Sequence, residues 1–373
     1  MKRLTYAVLA TAVLLGLVLG TGCSTKKYPN VWSLRADSSS VSLVNNFWDV
    51  QRNYLDYNSA GDTTFHYWPQ AHGLDIITDW YIRTHDEKIL KIYDNWFEGV
   101  PKANHGGWWN EFYDDMEWHA IATCRAYEAT GQQRFLDASK ELWDYIKVGW
   151  NDRGEGGVTW KKGMEWSKNA CSNGPAAITA AKLYRVLGRP EDLKWAKDIY
   201  AWEKKALFEP SGAIWDSVNG DTGKLSKFCL TYNQGTFVGA AVELYRLTGD
   251  KTYIDDAIKA TDYTLTDLSV DSPQGKILQN EGARDGGIFK GIFVRYFTDL
   301  ILYGDLPAQK RDAYVNFLRI NGEVLWSQGN NDYRFGPDWR EKPGTPSAMT
   351  PQLSGCMLVE ALAVLERNGL LND

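Results

Sequence analysis

Two consecutive aspartates, Asp114 and Asp115, lie in an aromatic stretch that runs from Trp108 to His119, where a loop turns into a helix. Cleavage of a glycosidic bond needs two carboxyl groups, one of which keeps its proton. Retaining enzymes hold these groups about 5–5.5 Å apart, and inverting enzymes about 6.5–9.5 Å apart. Neighbouring residues at a helix start can provide the shorter separation, so the pattern favours a retaining glycosidase.

Electrostatic effects can give the two carboxyl groups of such a pair different protonation states. Close carboxylates repel each other, which raises the pKa of one of them, while a helix N-terminus favours a carboxylate. One aspartate can then act as the nucleophile while its neighbour holds the proton. The competing interpretation is structural, because Asp114 followed by Glu117 resembles a capping box and acidic residues are common at helix starts. The surrounding aromatic residues favour catalysis.

The elements that must position this pair form a repeat. Ala-rich segments ending in Tyr and then Gly recur at Tyr127, Tyr184 and Tyr245, at intervals of about 60 residues, and Leu302-Tyr303-Gly304 continues the series. Each Gly after the first three Tyr residues suits the left-handed position that ends a helix. A periodicity of about 3.6 residues predicts roughly twelve helices. Their predicted spans are 39–57, 69–83, 86–98, 115–129, 132–147, 173–187, 191–206, 234–248, 251–267, 289–303, 307–321 and 353–367.

The predicted helices alternate in character. The even-numbered ones, such as 173–187 and 234–248, are small and apolar almost all round, whereas the odd-numbered ones are charged on one side. Buried helices are typically apolar on all faces and surface helices on one stripe. Because no alternating strand pattern interrupts them, the sequence predicts an all-α fold. We expect an (α/α)6 toroid, with inner and outer rings of six helices, as a single domain over residues 41–373.

The long loops of this toroid precede its inner helices. Connections from inner to outer helices are short. Those from outer to inner helices are longer than about 12–15 residues, and loops of that length are usually functional or disordered. We expect all the long loops, and with them the Asp pair, on one face of the toroid. These loops are 99–114, 148–172, 207–233, 268–288 and 322–352.

Residues suited to sugar binding occur in these loops and at the starts of the inner helices. A sugar ring presents a C–H face edged by hydroxyls, which suits an aromatic ring next to amides and charged groups. Each such residue can instead cap a helix or pack under a loop. The predicted substrate-binding residues are Trp108, Trp109, Tyr113, Trp118, Lys168, Asn169, Asn173, Tyr232, Asn233, Gln234, Arg284, Asp285, Phe289, Lys290 and Trp339.

Composition argues against several other classes of protein. The net charge of −6 gives no electrostatic support for a nucleic-acid partner, while 17 Trp exceed what a core needs. No Gly-x-Ser-x-Gly elbow indicates a serine hydrolase, and no HExxH pair indicates a metal site. Four widely spaced cysteines lie in or beside helices rich in small residues. We therefore expect no metal, and buried free thiols at Cys124, Cys171, Cys229 and Cys356.

The N-terminus has the layout of an export signal over residues 1–22. A basic start is followed by an apolar run over 6–19, which is short for a membrane span. The small residues before Cys23 resemble a bacterial lipoprotein cleavage box, so Cys23 is the predicted lipidated residue. Gly20 stands where such boxes usually carry Leu, so cleavage without lipid and an uncleaved anchor stay open. Residues 23–40 are polar and are predicted to form a tether.

Several motifs, in order along the chain, resemble glycoside hydrolase family 76. The likeness extends from about residue 45 to residue 365, nearly the whole mature chain. The matching motifs are Tyr113-Asp114-Asp115 with Trp118, Lys168-Asn169 with Ser172-Asn173-Gly174, Tyr232-Asn233-Gln234-Gly235 leading to Glu243-Leu244-Tyr245, and Phe289-Lys290-Gly291 with Arg295-Tyr296.

The resemblance implies an (α/α)6 fold and an endo-acting α-1,6-mannanase. It implies a retaining mechanism with Asp114 as the nucleophile and Asp115 as the general acid/base, without metal or organic cofactor. It also suggests the α-1,6-linked backbone of fungal cell-wall mannan as the substrate. Together with the lipoprotein-like signal, this describes a monomeric protein of the bacterial cell envelope, anchored through Cys23 to the outer membrane on a face that the sequence leaves open.

Three alternative functions remain open. Some relatives in the family act as transglycosylases on mannose-containing glycolipids. The same toroid also hosts unsaturated glucuronyl hydrolases and sugar epimerases, although a uronate would require a basic pocket that the loops do not provide. A non-catalytic glycan-binding lipoprotein is the third alternative, against which the crowded Asp pair argues.

Overall fold

The computed structural model describes residues 30–371 of the 373-residue chain. The predicted signal peptide and Cys23 lie outside these residues. None of the helices between residues 30 and 371 is long and apolar enough to span a membrane. The helices are α1 (Val31–Phe47), α2 (Tyr67–Thr84), α3 (Leu90–Ala103), α4 (Tyr113–Thr130), α5 (Gln133–Lys147), α6 (Gly174–Leu187), α7 (Pro190–Leu207), α8 (Thr231–Thr248), α9 (Thr252–Asp267), α10 (Gly286–Tyr303), α11 (Ala308–Ser327) and α12 (Met349–Arg367).

The helices form two concentric rings. The inner ring runs α2, α4, α6, α8, α10, α12 and closes from α12 back onto α2. The odd-numbered helices pack outside it, for example α5 on α4, α7 on α6 and α9 on α8. The even-numbered helices are buried along most of their length, as their small and apolar composition predicts. The predicted (α/α)6 toroid is therefore confirmed.

The repeat that predicted this fold ends three inner helices in the same way. Gly131, Gly188 and Gly249 follow α4, α6 and α8 with φ values of 70°, 68° and 72°. Each donates its N–H to the carbonyl of the preceding Tyr in the repeat, over 2.7–2.8 Å. A left-handed residue that turns the chain is well served by glycine, so the short connections to the outer helices are built into the sequence.

The first helix differs from its prediction. Helix α1 begins at Val31, so the predicted tether over 23–40 and the predicted helix over 39–57 are both wrong in their boundaries. The Ser-rich segment suggested a polar linker, yet Ser39 and Ser40 are fully buried. The Ser40 hydroxyl donates to Glu360 of α12 over 3.1 Å. A sequence that resembles a linker can therefore form a packed helix, because the neighbouring helix provides hydrogen-bond partners for its small polar side chains.

Short strands occur inside the long loops, where none was predicted. They pair as two-stranded hairpins, except for β3, β4 and β5, which form one antiparallel sheet. In that sheet Ser167 pairs with Asn219, so it ties the loop before α6 to the loop before α8. The strands are β1 (Trp48–Asp49), β2 (Tyr54–Leu55), β3 (Ser167–Asn169), β4 (Ser217–Asn219), β5 (Leu225–Ser226), β6 (Ser269–Ser272), β7 (Gly275–Leu278), β8 (Asn330–Asn331) and β9 (Arg334–Phe335).

The barrel interior below the long-loop face is ionic. Asp75 and Asp79 of α2 face Arg125 of α4 and Arg295 of α10, with Arg125 Nη2 2.5 Å from Asp79 Oδ1 and Arg295 Nη2 2.9 Å from Asp79 Oδ2. Arg125 also pairs with Asp75. Burial would raise the pKa of Asp75, but the two guanidinium groups hold that pKa below its usual value. These charges join three inner helices.

A second ionic group closes the end of the barrel opposite the long loops. Lys182 Nζ lies 3.1 Å from Glu243 Oε1, and Arg185 bridges Glu243 and Glu128. Burial would raise the pKa of Glu243, but Lys182, Arg185 and Arg246 lower it to about 2. A cavity of about 300 Å³ at this end is lined mainly by such charged side chains. It lies at the C-terminal ends of the inner helices, away from the Asp pair.

Candidate active site

The Asp114–Asp115 pair lies in the first turn of α4, on the face where the long loops gather. The residue before the helix is Phe112, whose N–H donates to the Asn110 side chain over 2.9 Å. No side chain caps α4, and the Glu117 carboxyl makes no hydrogen bond within the described residues. The capping-box interpretation is therefore wrong, since Phe112 occupies the cap position and Glu117 bonds no backbone N–H.

The loop between α5 and α6 braces the start of α4. The Tyr113 N–H donates to the Trp160 carbonyl over 2.9 Å, and the Lys162 N–H donates to the Glu111 carbonyl over 2.9 Å. These two hydrogen bonds fix the backbone at Glu111 and at Tyr113, just before Asp114. A first turn pinned in this way keeps the two carboxyl groups in a fixed relative position.

The surroundings of the pair favour protonated carboxyls. Burial raises the pKa of Asp114, while the Cys171 thiol and the Trp160 indole, donors close to the carboxyl, act in the opposite direction. Burial raises the pKa of Asp115 well above its usual value, and the charges of Asp114 and Asp285 raise it further. Asp115 thus lacks the donors that support ionisation of Asp114. The environment separates one carboxyl that loses its proton first from a neighbour that keeps it.

A second acidic group lies below the pair. Glu117 of α4 and Glu203 of α7 are both fully buried, and no oxygen of either carboxyl has a hydrogen-bond partner in the described part of the chain. Burial raises both pKa values well above the usual range, and the charges of Asp114 and Glu203 raise that of Glu117 further. A buried carboxyl without partners is far less costly when it is neutral.

A pH-dependent stability effect is expected from Glu117→Gln. A carboxyl whose pKa is raised by folding destabilises the protein once pH exceeds its unfolded value of about 4.3. The difference in melting temperature, variant minus wild type, should therefore increase between pH 4 and pH 8. Scanning calorimetry at steps of one pH unit measures this difference. The matched change in the exposed Glu98 should give a flat line, and a flat line for Glu117→Gln would contradict a protonated, buried carboxyl.

Aromatic rings form a continuous surface at the open end of the barrel. Tyr232 and Phe289 stack with ring centroids 4.0 Å apart and an interplanar angle of 13°. Trp68 lies 6.4 Å from Phe289 and 6.3 Å from Trp118, which in turn lies 6.5 Å from Tyr232. These four residues, called the aromatic surface below, come from the first two turns of α2, α4, α8 and α10. Trp68 and Trp118 are only 9% and 3% exposed, so the accessible apolar area that suits the C–H face of a sugar ring belongs mainly to Tyr232 and Phe289.

A further carboxyl approaches the pair from the loop before α8. Asp216 is half-buried, and its burial raises its pKa, whereas the Ser217 and Asn233 side chains lower it. Burial raises the pKa of the Tyr232 phenol, and the charges of Cys171, Asp114 and Asp216 raise it further. Asp216 therefore lies near Tyr232 and Asp114, although it was not predicted.

The cysteines are free, as predicted. Cys124, Cys171 and Cys356 are buried, and Cys229 is partly exposed. Between residues 30 and 371, no group of three or more His, Cys, Asp or Glu side chains is arranged to hold a metal ion. The absence of a metal requirement remains a prediction.

A sequence model described as glycosyl hydrolase family 76 matches residues 32–373 of this chain. The chain belongs to glycosyl hydrolase family 76. The resemblance carried by the motifs is thereby confirmed, and the protein is a glycoside hydrolase. The Mannan endo-1,6-alpha-mannosidase DCW1 of Eremothecium gossypii is 22% identical over 320 residues, which cover 79% of this chain and 67% of that protein.

Solved structures of this family have the same architecture. An inactive variant of the α-1,6-mannanase GH76A of Salegentibacter sp. HEL1_6, with two consecutive aspartates replaced by alanine, is 39% identical and has a TM-score of 0.86. Its structure is a complex with α-1,6-mannotetrose, and the similarity covers 90% of this chain and 99% of that one. The Lin0763 protein of Listeria innocua is 31% identical with a TM-score of 0.82, over 90% of this chain and 98% of that one.

Part of the predicted substrate-binding set belongs to the aromatic surface or is exposed on the long-loop face. Tyr232 and Phe289 are half-buried in the aromatic surface, whereas Trp118 packs beneath them and is only 3% exposed. Trp109 is 47% exposed on the loop before α4. Arg284 and Asp285 are exposed just before α10, and Asn169 is partly exposed in β3. The exposed and half-buried residues remain candidates for contact with substrate.

The other predicted contacts are corrected by burial. The Lys168 ammonium donates to the Gly157 carbonyl over 2.6 Å, and the Lys290 ammonium to the Pro337 carbonyl over 2.7 Å. The ring of Trp339 lies under the Lys290 ammonium, 4.1 Å from its centroid. Lys168 is thus bound within the loop before α6, whereas Lys290 and Trp339 hold the loop before α12 to α10. The predicted residues that are buried are Trp108, Tyr113, Trp118, Lys168, Asn173, Asn233, Gln234, Lys290 and Trp339. Asn233 differs from the others in that neither atom of its amide has a hydrogen-bond partner among the described residues, so it stays a candidate for contact with substrate.

The predicted amides of Asn173 and Gln234 are likewise bound to backbone groups of the loops. Asn173 accepts from the Val158 N–H over 2.8 Å and donates to the Val158 carbonyl over 3.0 Å. Gln234 accepts from the Ile214 N–H and donates to the Gly212 carbonyl. Long loops contain many backbone groups that would otherwise lack partners, so polar residues at helix starts are used to satisfy them.

Proposed function

We propose that the protein is an endo-acting α-1,6-mannanase that cleaves a mannan backbone with retention of configuration. The main support is the similarity to the Salegentibacter enzyme over 99% of that chain, since that enzyme is an α-1,6-mannanase with an inactive variant that binds α-1,6-mannotetrose. The curated relative from Eremothecium gossypii is also a mannan endo-1,6-alpha-mannosidase. Fungal cell-wall mannan is the substrate that we expect in nature.

Asp114 and Asp115 are proposed as the catalytic pair. The inactive Salegentibacter variants carry substitutions of two consecutive aspartates. In the described residues of this chain, the only other consecutive pair is Asp255-Asp256, which lies at the start of the outer helix α9. Asp256 is there engaged by the Tyr200 phenol, over 2.9 Å. Only the pair in α4 therefore faces the long-loop groove.

The environments of the two carboxyls support a division of roles. Asp114, which has donors beside it, is proposed as the nucleophile that attacks the anomeric carbon. Asp115, with the more strongly raised pKa, is proposed to donate its proton to the oxygen of the departing sugar. Asp115 then takes a proton from water, which attacks the glycosyl-enzyme ester and releases Asp114. Two inversions give net retention.

The acidic groove argues against a uronate substrate. Asp114, Asp115, Asp216 and Asp285 lie at or near the groove. The ammonium groups of Lys168 and Lys290 are bound to carbonyls, so Arg284 is the one predicted substrate-binding residue with an exposed positive charge. A negatively charged sugar would be repelled. A neutral sugar suits this charge distribution.

The decisive test follows the products from debranched α-1,6-mannan. Purified protein should release short mannooligosaccharides from within the chain, with a fall in polymer size before free mannose accumulates. NMR of the first product should show the α-anomer before mutarotation. An initial β-anomer would rule out retention, and products longer than the starting oligosaccharide would indicate a transglycosylase instead.

The chain is also proposed to be exported and anchored through a lipid on Cys23, as a monomer in the bacterial envelope. The supporting observation is the signal-like layout of residues 1–22. Expressed in a bacterial host, the protein should sediment with membranes, and Cys23→Ser should move it to the soluble fraction. Mass spectrometry of the N-terminal peptide would reveal the acyl groups, and an unmodified Cys23 would refute the anchor. Light scattering should give the mass of one chain.

A further inference from the structure

Asp285 carries an unusually well-fixed yet accessible carboxylate. It directly precedes α10, and 58% of its side chain is exposed. The Trp68 indole N–H donates to its Oδ1 over 3.1 Å, and His66 Nε2 lies 3.2 Å from the same oxygen. Within residues 30–371, both contacts of the carboxyl are to Oδ1, and Oδ2 has no hydrogen-bond donor. One oxygen is thus held by the protein, and the other is open.

This arrangement leaves a defined acceptor for a ligand. A carboxylate oxygen accepts about two hydrogen bonds, so the two donors on Oδ1 use that oxygen fully. The side chain cannot rotate without breaking both bonds, so Oδ2 is fixed before any ligand arrives. Such preorganisation lowers the entropic cost of binding.

The Asp285 carboxylate lies next to the aromatic surface. The indole that holds Asp285 belongs to Trp68, whose ring lies 6.4 Å from Phe289 in that surface. The charge of Asp285 also raises the pKa of Asp115, which places Asp285 near the catalytic pair. A half-buried aromatic ring with a fixed acceptor nearby matches the two features of a sugar ring, namely its C–H face and its rim of hydroxyls.

We propose that Asp285 anchors the substrate ring: its Oδ2 accepts hydroxyl hydrogens of a neutral hexose that lies against the half-buried ring of Phe289, next to Trp68. His66 and Trp68 are positioning residues that hold the carboxylate. The proposal rests on the proposed glycosidase function and adds a basis for specificity. A uronate ring would bring its own carboxylate against Asp285, so the anchor selects neutral sugars.

Asp285→Asn is the sharpest test. The amide oxygen can still accept from Trp68 and His66, while an NH₂ donor replaces Oδ2, so one acceptor and one charge are lost without a change of shape. The kcat/KM for α-1,6-mannotetraose should fall about 10- to 100-fold, as for loss of hydrogen bonds to a charged group. In an Asp115→Asn background, which prevents turnover, the Kd for α-1,6-mannotriose should rise by a similar factor in calorimetry. The control is Asp271→Asn, a highly exposed aspartate of β6, which should change neither value.

The positioning role is tested by rescue. His66→Ala should lower kcat/KM about threefold to tenfold, mainly through KM, whereas His66→Gln, whose amide can donate in place of Nε2, should stay within about twofold of wild type. Trp68→Phe keeps a ring and deletes the N–H, and it should resemble His66→Ala; it also carries the test if Asp285→Asn fails to fold.

Two outcomes separate the anchor from the proposed function. If the wild type cleaves α-1,6-mannotetraose while Asp285→Asn keeps kcat/KM and Kd within twofold, the anchor is overturned and the mannanase stands. If the wild type neither cleaves nor binds α-1,6-mannooligosaccharides, the proposed function fails and the anchor fails with it.

Discussion

Asp114→Asn and Asp115→Asn should each reduce hydrolysis of debranched α-1,6-mannan by at least about a hundredfold, with folding intact. Without Asp114 no covalent intermediate can form, and without Asp115 the departing sugar leaves as an unprotonated alkoxide. The rate of release of reducing ends measures both losses. The matched control is Asp255→Asn, which alters the exposed member of the other consecutive pair, on α9, and should keep full activity.

The two roles can be separated chemically. An aryl α-mannoside with a good leaving group needs no protonation, so Asp115→Ala should form the intermediate from it and turn over faster when azide is added. The product should be the α-mannosyl azide. Asp114→Ala with azide should instead give the β-mannosyl azide, because azide displaces the leaving group directly. The reverse pattern would exchange the two assignments, and normal mannan hydrolysis by both variants would remove the pair from the mechanism.

The fold follows from features that are local in the sequence. Left-handed glycines at Gly131, Gly188 and Gly249 end inner helices, and small apolar residues mark helices that are buried on all sides. Such signals need no knowledge of distant residues, which is why the rings could be predicted. Helix α1 was misjudged because the burial of Ser39 and Ser40 depends on α12, more than three hundred residues away.

The groove was harder to predict than the fold. Whether a loop residue faces substrate depends on how that loop packs against other loops and helices. Trp339 and Lys290 are buried by packing between a loop and a helix. His66 and Trp68 were missed because no motif surrounds them. One signal could have found them: they directly precede or open α2, the position in the repeat where α4 carries the Asp pair and α8 carries Tyr232.

The ionic group in the barrel interior contacts, through His72, the aromatic surface of the candidate site. Asp75 lies 3.9 Å from His72 Nδ1, and the His72 ring lies 4.9 Å from that of Trp118 in the aromatic surface. Burial lowers the pKa of His72 to about 3, so this imidazole is neutral at ordinary pH. It stays neutral beside Asp75 because Arg125 and Arg295 already balance the aspartate charge. The ionic group therefore supports the floor of the groove as well as the packing of the inner helices.

Arg125→Met should accordingly destabilise the protein by about 3–5 kcal/mol, the cost of leaving a buried charge without its partner. Asp75 and Asp79 both bind Arg125, and Arg295 alone cannot balance two carboxylates in a protein interior. Denaturant unfolding followed by tryptophan fluorescence gives the free energy of unfolding.

The control for this variant is Arg153→Met, which breaks an exposed pair with Asp221 on the surface. Exposed pairs contribute about 0–1 kcal/mol, so this variant should unfold almost as the wild type does. Adding Asp79→Asn to Arg125→Met should recover part of the lost stability, because it removes one of the stranded charges. If Arg125→Met costs no more than Arg153→Met, water must reach the barrel interior and screen these charges, and the ionic group would then contribute little to holding the inner ring together.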